Sequence, residues 1–159
     1  MAGKSGTEST LEAARRRIGE ELGTSDWLVV DQARIDAHAA TTGDADWLHN
    51  DPVRAAREGP FGRTIAQGSL LLSLLVGFVN EIAPLAEDVA YALNCGFDRL
   101  RFVKPVPEGA RVRARLVLKE IHPRPDGRFL VVTGARLEVE GASEPAVVAD
   151  WLGLVAPRA

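Results

Sequence analysis

An α+β fold, with a strongly curved antiparallel sheet wrapped around one hydrophobic helix, is predicted by three features of this 159-residue chain. The stretch from Gly68 to Ile82 carries leucines on more than one face, as a helix does when protein encloses it on nearly all sides. Four strand-like segments follow, and their close spacing between Pro/Gly turns implies antiparallel neighbours. Alternation within those strands separates an apolar face from a charged one.

Residues 1–10, MAGKSGTEST, are small and polar, with no hydrophobic stretch or cleavage pattern after them, and are expected to be disordered. Residues 11–159 read as a single domain without repeat or linker. Leu11 to Leu22 has helical composition and stops at Gly23; Trp27 to Val30 is a short apolar strand. Asp31 caps a helix that runs through Thr42. Gly43 to Asp51 has no period and reads as a loop. Asp51-Pro52 is a cap followed by proline at the first helical position, and that helix ends at Gly59-Pro60. After the central helix come strands over 89–103, 110–121, 128–140 and 145–155.

Val112, Ala114, Leu116 and Leu118 fall on one side of their strand, with Arg111, Arg113, Arg115 and Lys119 on the other. In the next strand Phe129, Val131, Ala135, Leu137 and Val139 share the buried side, which leaves Arg136, Glu138 and Glu140 outside, opposite the arginines. A solvated ion-pair face is the preferred reading of that row over an anion site for a phosphorylated ligand. A helix embraced by a bent sheet is the arrangement called a hotdog fold, although pattern alone leaves other α+β folds open.

Composition narrows the function. The formal charge is −3, and 16 arginines and three lysines are dispersed among acids, which argues against nucleic acid as the main partner. The longest apolar run, Leu70 to Val79, is broken by Ser73 and Gly77 and is far shorter than the roughly 20 residues of a membrane span. Cys95 is the sole cysteine, so neither an internal disulfide nor a thiolate zinc site can form, and a reducing, cytoplasmic setting is expected. No glycine-rich nucleotide or phosphate loop is present.

The densest polar cluster is Thr41-Thr42-Gly43-Asp44-Ala45-Asp46-Trp47-Leu48-His49-Asn50-Asp51. On a helix, Asp44 and His49 would diverge by about 140°, so they converge only if the backbone departs from helical geometry, which Gly43 makes easy. A carboxylate and an imidazole on one water molecule supply a base, a proton donor and a fixed tautomer. The alternative is structural, with Asp44 capping a turn and His49 packed on Trp47. An EF-hand calcium loop starting at Asp44 fails, because His49 and Ala55 stand where glycine and glutamate are needed; a transition-metal site at these residues carries little weight.

Thr42-Gly43-Asp44, His49, Asp51-Pro52, Ala55-Ala56, Gly59-Pro60-Phe61-Gly62 and Ile65-Ala66-Gln67-Gly68-Ser69-Leu70 together resemble the MaoC-like (R)-specific enoyl-CoA hydratases, in particular their NodN-like branch. The likeness extends through Leu93-Asn94-Cys95-Gly96-Phe97-Asp98-Arg99-Leu100-Arg101-Phe102 and Pro105-Val106-Pro107. It implies a hotdog fold, normally a homodimer, that reversibly hydrates trans-2-enoyl thioesters to (R)-3-hydroxyacyl thioesters. Asp44 and His49 then fall on the catalytic pair, and Gly68 falls where a backbone N–H receives the thioester oxygen. No metal or redox cofactor is implied; coenzyme A or acyl-carrier pantetheine arrives as part of the substrate. Gln67 replaces a frequent histidine, and Ala45-Asp46-Trp47 departs from the broader family's usual residues.

His38 stands where an aromatic residue is frequent and reads as a packing or surface residue, whereas Asn94 supports the loop or satisfies local backbone. Cys95, in a strand, lacks the setting that activates a thiol. Two rivals share the architecture: a hotdog thioesterase, which aims water at the carbonyl, and a non-catalytic acyl-CoA-binding protein.

Overall fold

A computed structural model describes residues 9–158. Residues 1–8, most of the segment expected to be disordered, lie outside the described residues. Ser9 caps α1 (Thr10–Arg15) through a reciprocal box: its Oγ accepts from the Glu12 N–H at 3.2 Å, and the Glu12 carboxylate accepts from the Ser9 N–H at 3.3 Å. The helix expected to reach Leu22 ends at Arg15. Residues Glu21–Thr24 form β1 instead, pairing with β4 (Arg111–Pro123), so sheet hydrogen bonding overrides their helical composition.

β2 (Leu28–Val29) also pairs β4. α2 (Gln32–Thr42), α3 (Trp47–Asn50) and α4 (Pro52–Glu58) lead to α5 (Gly68–Ile82). The four later strands are β3 (Val89–Phe102), β4, β5 (Phe129–Val139) and β6 (Val147–Pro157). All pairings are antiparallel and the order is β1-β4-β5-β6-β3, with β2 beside β1 along β4. Among the described residues no helix is long and apolar enough to cross a membrane.

The core is the contact between α5 and the inner sheet face. Leu71, Leu75 and Phe78 pack with Val112, Ala114 and Leu116 of β4, Leu137 of β5 and Val147 of β6, together with Val30, Ile35 and Val106. The predicted inward positions of β4 are therefore the buried ones. α5 is less enclosed than its composition suggests: Ser69, Ser73, Val76, Gly77 and Asn80, spaced as one helical stripe, remain exposed in the single chain.

The outer face of β4 and β5 is the expected ion-pair row. Arg111 meets Glu140, Arg113 meets Glu138 and Arg115 meets Glu138, each at 2.8 Å, while Arg115 also reaches Glu21 at 2.7 Å. Hydrogen bonding to Arg115 holds the Glu138 carboxyl below its ordinary range against the opposing effect of burial, with Arg113 adding to it. Asp150 of β6 is almost wholly buried on this face, which by itself would raise its pKa, but Lys119 at 2.5 Å and the Arg99 guanidinium bring it below the usual value.

β3 is an edge strand with register shifts near Val89/Tyr91, Asn94/Gly96 and Asp98/Arg101. Gly96 has φ 146° at the second bulge, and Arg99, at the third, has φ 51°. Tyr91, Leu93, Phe102 and Val103 along or just beyond this edge are exposed apolar residues.

Candidate active site

The loop between α2 and α5 is built from short polar side chains that cap successive helix starts. Asp31 Oδ1 accepts from the Arg34 N–H at 2.9 Å and opens α2. α2 closes at Gly43, whose φ of 79° is the left-handed conformation that glycine tolerates, with its N–H donating to the Ala39 carbonyl. Asp46 Oδ1 accepts from the Leu48 N–H and Asp51 Oδ1 from the Arg54 N–H, both at 2.9 Å. The stretch read as a plain loop thus contains the one-turn helix α3, too short for periodicity to reveal. Asp51 is the expected cap ahead of Pro52.

These caps leave Asp44 as the carboxylate of the loop without a structural task. It is exposed, and among the described residues its side chain has no hydrogen-bond or ionic partner. Its backbone is fixed: the N–H donates to Thr42 Oγ1 at 3.3 Å, and the carbonyl accepts from Gln67 Nε2 at 3.4 Å.

His49 is half-buried at the last turn of α3. Its Nδ1 lies 2.7 Å from the Ile65 carbonyl oxygen. A carbonyl only accepts, so Nδ1 carries the proton and Nε2 is left as a lone-pair acceptor. The backbone beneath is pinned twice, by Ile65 N–H donating to the Leu48 carbonyl at 3.0 Å and by Gln32 Nε2 donating to the His49 carbonyl at 2.8 Å. Gln32 also accepts from the buried Thr64 hydroxyl at 2.6 Å. Sequence reading missed Gln32; its spacing of four from Asp36 on one face of α2, toward the loop, is the signal that could have found it.

Residues 65–68 touch or include each of the three expected site residues. Ile65 holds the His49 ring, Gln67 holds the Asp44 backbone, and Gly68 begins α5 immediately afterwards. Gln67 is 1% exposed; its Nε2 also donates to the Ile35 carbonyl at 3.2 Å, and its Oε1 is buried without a partner among the described residues. Gln67 provides no side-chain cap for α5, so the first-turn N–H groups end the helix open and electropositive. A Cβ at Gly68 would lie 3.0–3.2 Å from the Phe102 ring, so glycine is what lets that aromatic edge close over the helix start.

The remaining candidates separate cleanly. His38, expected as a packing or surface residue, has its Nε2 2.8 Å from Ser69 Oγ. Asn94 Oδ1 accepts from the Gly96 N–H at 3.2 Å and from Trp151 Nε1–H at 2.9 Å, a local supporting role at a bulge. Cys95 is exposed in β3. Among the described residues no three His, Cys, Asp or Glu side chains are grouped to hold a metal ion. An apolar cavity of about 410 Å³, lined by Leu22, Val76, Val79, Val131, Trp151 and Val155, lies along the C-terminal half of α5.

The family model described as a MaoC-like domain matches residues 13–139. Nodulation protein N of Rhizobium leguminosarum bv. viciae is 41% identical over 148 residues, covering 93% of this chain and 92% of that protein. A 3-hydroxyacyl-thioester dehydratase Z of Mycobacterium tuberculosis is 40% identical over 132 residues, covering 83% and 86%. In structure, the (R)-hydratase from A. caviae involved in PHA biosynthesis superposes with a TM-score of 0.69 at 26% identity, covering 89% of this chain and 96% of that one.

Proposed function

Because this chain belongs to the MaoC-like dehydratase family and is a hydro-lyase, we propose that its reaction is the reversible addition of water to trans-2-enoyl thioesters, giving (R)-3-hydroxyacyl thioesters. The observation that carries this reading is the 2.7 Å contact of His49 Nδ1 with the Ile65 carbonyl, three positions before α5 begins: it commits Nδ1–H and leaves Nε2 to accept a proton.

In this mechanism Asp44 and His49 hold a water molecule, which attacks C3 of the enoyl group as the pair removes its proton. The thioester oxygen gains charge and is received by the Gly68 N–H at the electropositive end of α5. The same pair delivers a proton to C2, so no proton is gained or lost overall. Neither a metal nor a redox group has work to do in this sequence, and coenzyme A or a pantetheine arm enters with the acyl group. The chemistry suits the cytoplasm.

Hydration and the rival thioester hydrolysis are separated by crotonyl-CoA. The enoyl absorbance is expected to fall with no free thiol appearing; thiol release with the enoyl chromophore retained would establish a thioesterase instead. Binding of crotonyl-CoA with neither change would leave an acyl-thioester-binding protein.

We further infer a homodimer. β3 has one unpaired edge bearing Tyr91 and Leu93, with Phe102 and Val103 at its end, and α5 keeps its Ser73–Asn80 stripe, beyond the first turn, open. A second copy covering both explains why a strand so apolar is exposed in one chain. Sedimentation equilibrium is expected to return twice the 17.1 kDa chain mass, and a species of single mass at micromolar concentration would refute it.

A further inference from the structure

The first turn of α5 holds a hydroxyl whose partner is not the one a helical serine normally takes. Thr41, Thr42 and Ser73 each donate back to the carbonyl four residues earlier, at 2.8–2.9 Å. Ser69 cannot, because the carbonyl four residues before it, that of Ile65, lies ahead of the helix and accepts from His49. Its Oγ is instead 2.8 Å from Nε2 of His38, across from α2.

We propose that Ser69, oriented by His38, is a second hydrogen-bond donor to the substrate's thioester carbonyl oxygen, beside the Gly68 N–H. The inference rests on the enoyl-thioester reading above and adds to it a catalytic residue, Ser69, and a positioning residue, His38.

Side chains on a helix lean toward its N-terminus, so a hydroxyl at the second position of α5 lies over the same end as the Gly68 N–H. A hydroxyl has one proton and two acceptor sites. Among the described residues His38 Nδ1 has no partner, which leaves the ring free to keep its proton on Nε2 and donate it to Ser69 Oγ. The Ser69 proton then has no acceptor within the described chain, and Ser69 is exposed, so that proton is available to an incoming oxygen. Imidazole N–H to hydroxyl to carbonyl is a chain in which each bond polarises the next, and it strengthens as the oxygen takes on enolate charge.

Two further observations place the pair in the site. Thr42 Oγ1 both donates to the His38 carbonyl and accepts from the Asp44 N–H, so His38 is one hydrogen-bond step from the Asp44 turn. Gln67, immediately before Gly68, buries an Oε1 that has no partner, an independent sign that a polar molecule belongs at this end of α5.

The test uses the full chain with Ser69→Ala, Ser69→Thr, His38→Phe and His38→Gln. With crotonyl-CoA, Ser69→Ala and His38→Phe are expected to lower kcat about tenfold while KM stays within about twofold. Threonine at 69 keeps the hydroxyl and glutamine at 38 keeps a donor, so these variants recover most of the loss. The readout that a mere staple between α2 and α5 would not move is the infrared carbonyl stretch of bound butyryl-CoA carrying ¹³C at the thioester carbon. Binding lowers its frequency, and Ser69→Ala is expected to reverse part of that shift.

Unchanged kcat and an unchanged stretch in Ser69→Ala overturn the proposal while leaving hydration by the unaltered protein intact. A lower melting temperature with the stretch unmoved overturns it as well. If the unaltered protein binds butyryl-CoA and hydrates nothing, the function fails, yet a stretch that depends on Ser69 still upholds the donor. Absence of thioester binding overturns both.

Discussion

His49→Ala is expected to lower kcat for enoyl-thioester hydration about a thousandfold, because it removes the group proposed to take the water's proton. The loss has a structural component to control for, since the same substitution deletes the bond from Nδ1 to the Ile65 carbonyl. Asp44→Asn separates the two. Asp44 is exposed and its carboxylate has no partner among the described residues, so the substitution should leave stability within about 0.5 kcal/mol while costing about a hundredfold or more in kcat. Stopped assays of the two variants beside their melting curves check this. Full activity in Asp44→Asn would remove the dyad from the mechanism, whatever His49→Ala does.

Leu75→Ala should produce the largest change in stability. Leu75 is fully buried at the middle of α5, between that helix and the inner face of the sheet. Truncation there loses the transfer energy of the removed carbons and leaves a cavity lined by a sheet that cannot collapse into it, about 3 kcal/mol in all. For a domain of this size that corresponds to a fall of about 10 °C in melting temperature. Val76→Ala, one residue along on the exposed stripe, should move the transition of the isolated chain by far less. Calorimetry on both variants tests whether the core is centred where the contacts put it.

The sheet and its helix were legible because their signals are long. α5 is 15 residues of nearly continuous apolar sequence, and the alternation in β4 runs from Arg111 to Lys119 with Val117 as its one outward apolar residue, so one face could be assigned and its ion pairs anticipated. Short elements were less legible. Leu11 to Leu22 carries good helix formers, yet Glu21 finds both a strand partner in β4 and the Arg115 guanidinium, and these outweigh local propensity. α3 spans a single turn, so its only trace was Asp46, a cap that read as one more acid in a polar loop.

The site divides in the same way. Asp44 and His49 stood out as candidates because they share one dense polar stretch, and Gly68 only through the family resemblance. Their supports did not, because Gln32, Ile65 and Gln67 act through contacts that close only when α2, α3 and the start of α5 come together. His38 was read as a packing or surface residue, as a lone histidine usually is, since its partner lies 31 positions away in Ser69.

The irregular course of β3 bears on what this chain cannot become. An exposed, apolar outer strand with a straight ladder of free amides would serve as a template on which copies stack without end. Three breaks in register, with Gly96 and Arg99 in left-handed conformations, interrupt that ladder within 14 residues. Straightening it, for instance by deleting Cys95, the unpaired residue between Asn94 and Gly96, would therefore trade a self-limiting contact for one that favours fibres.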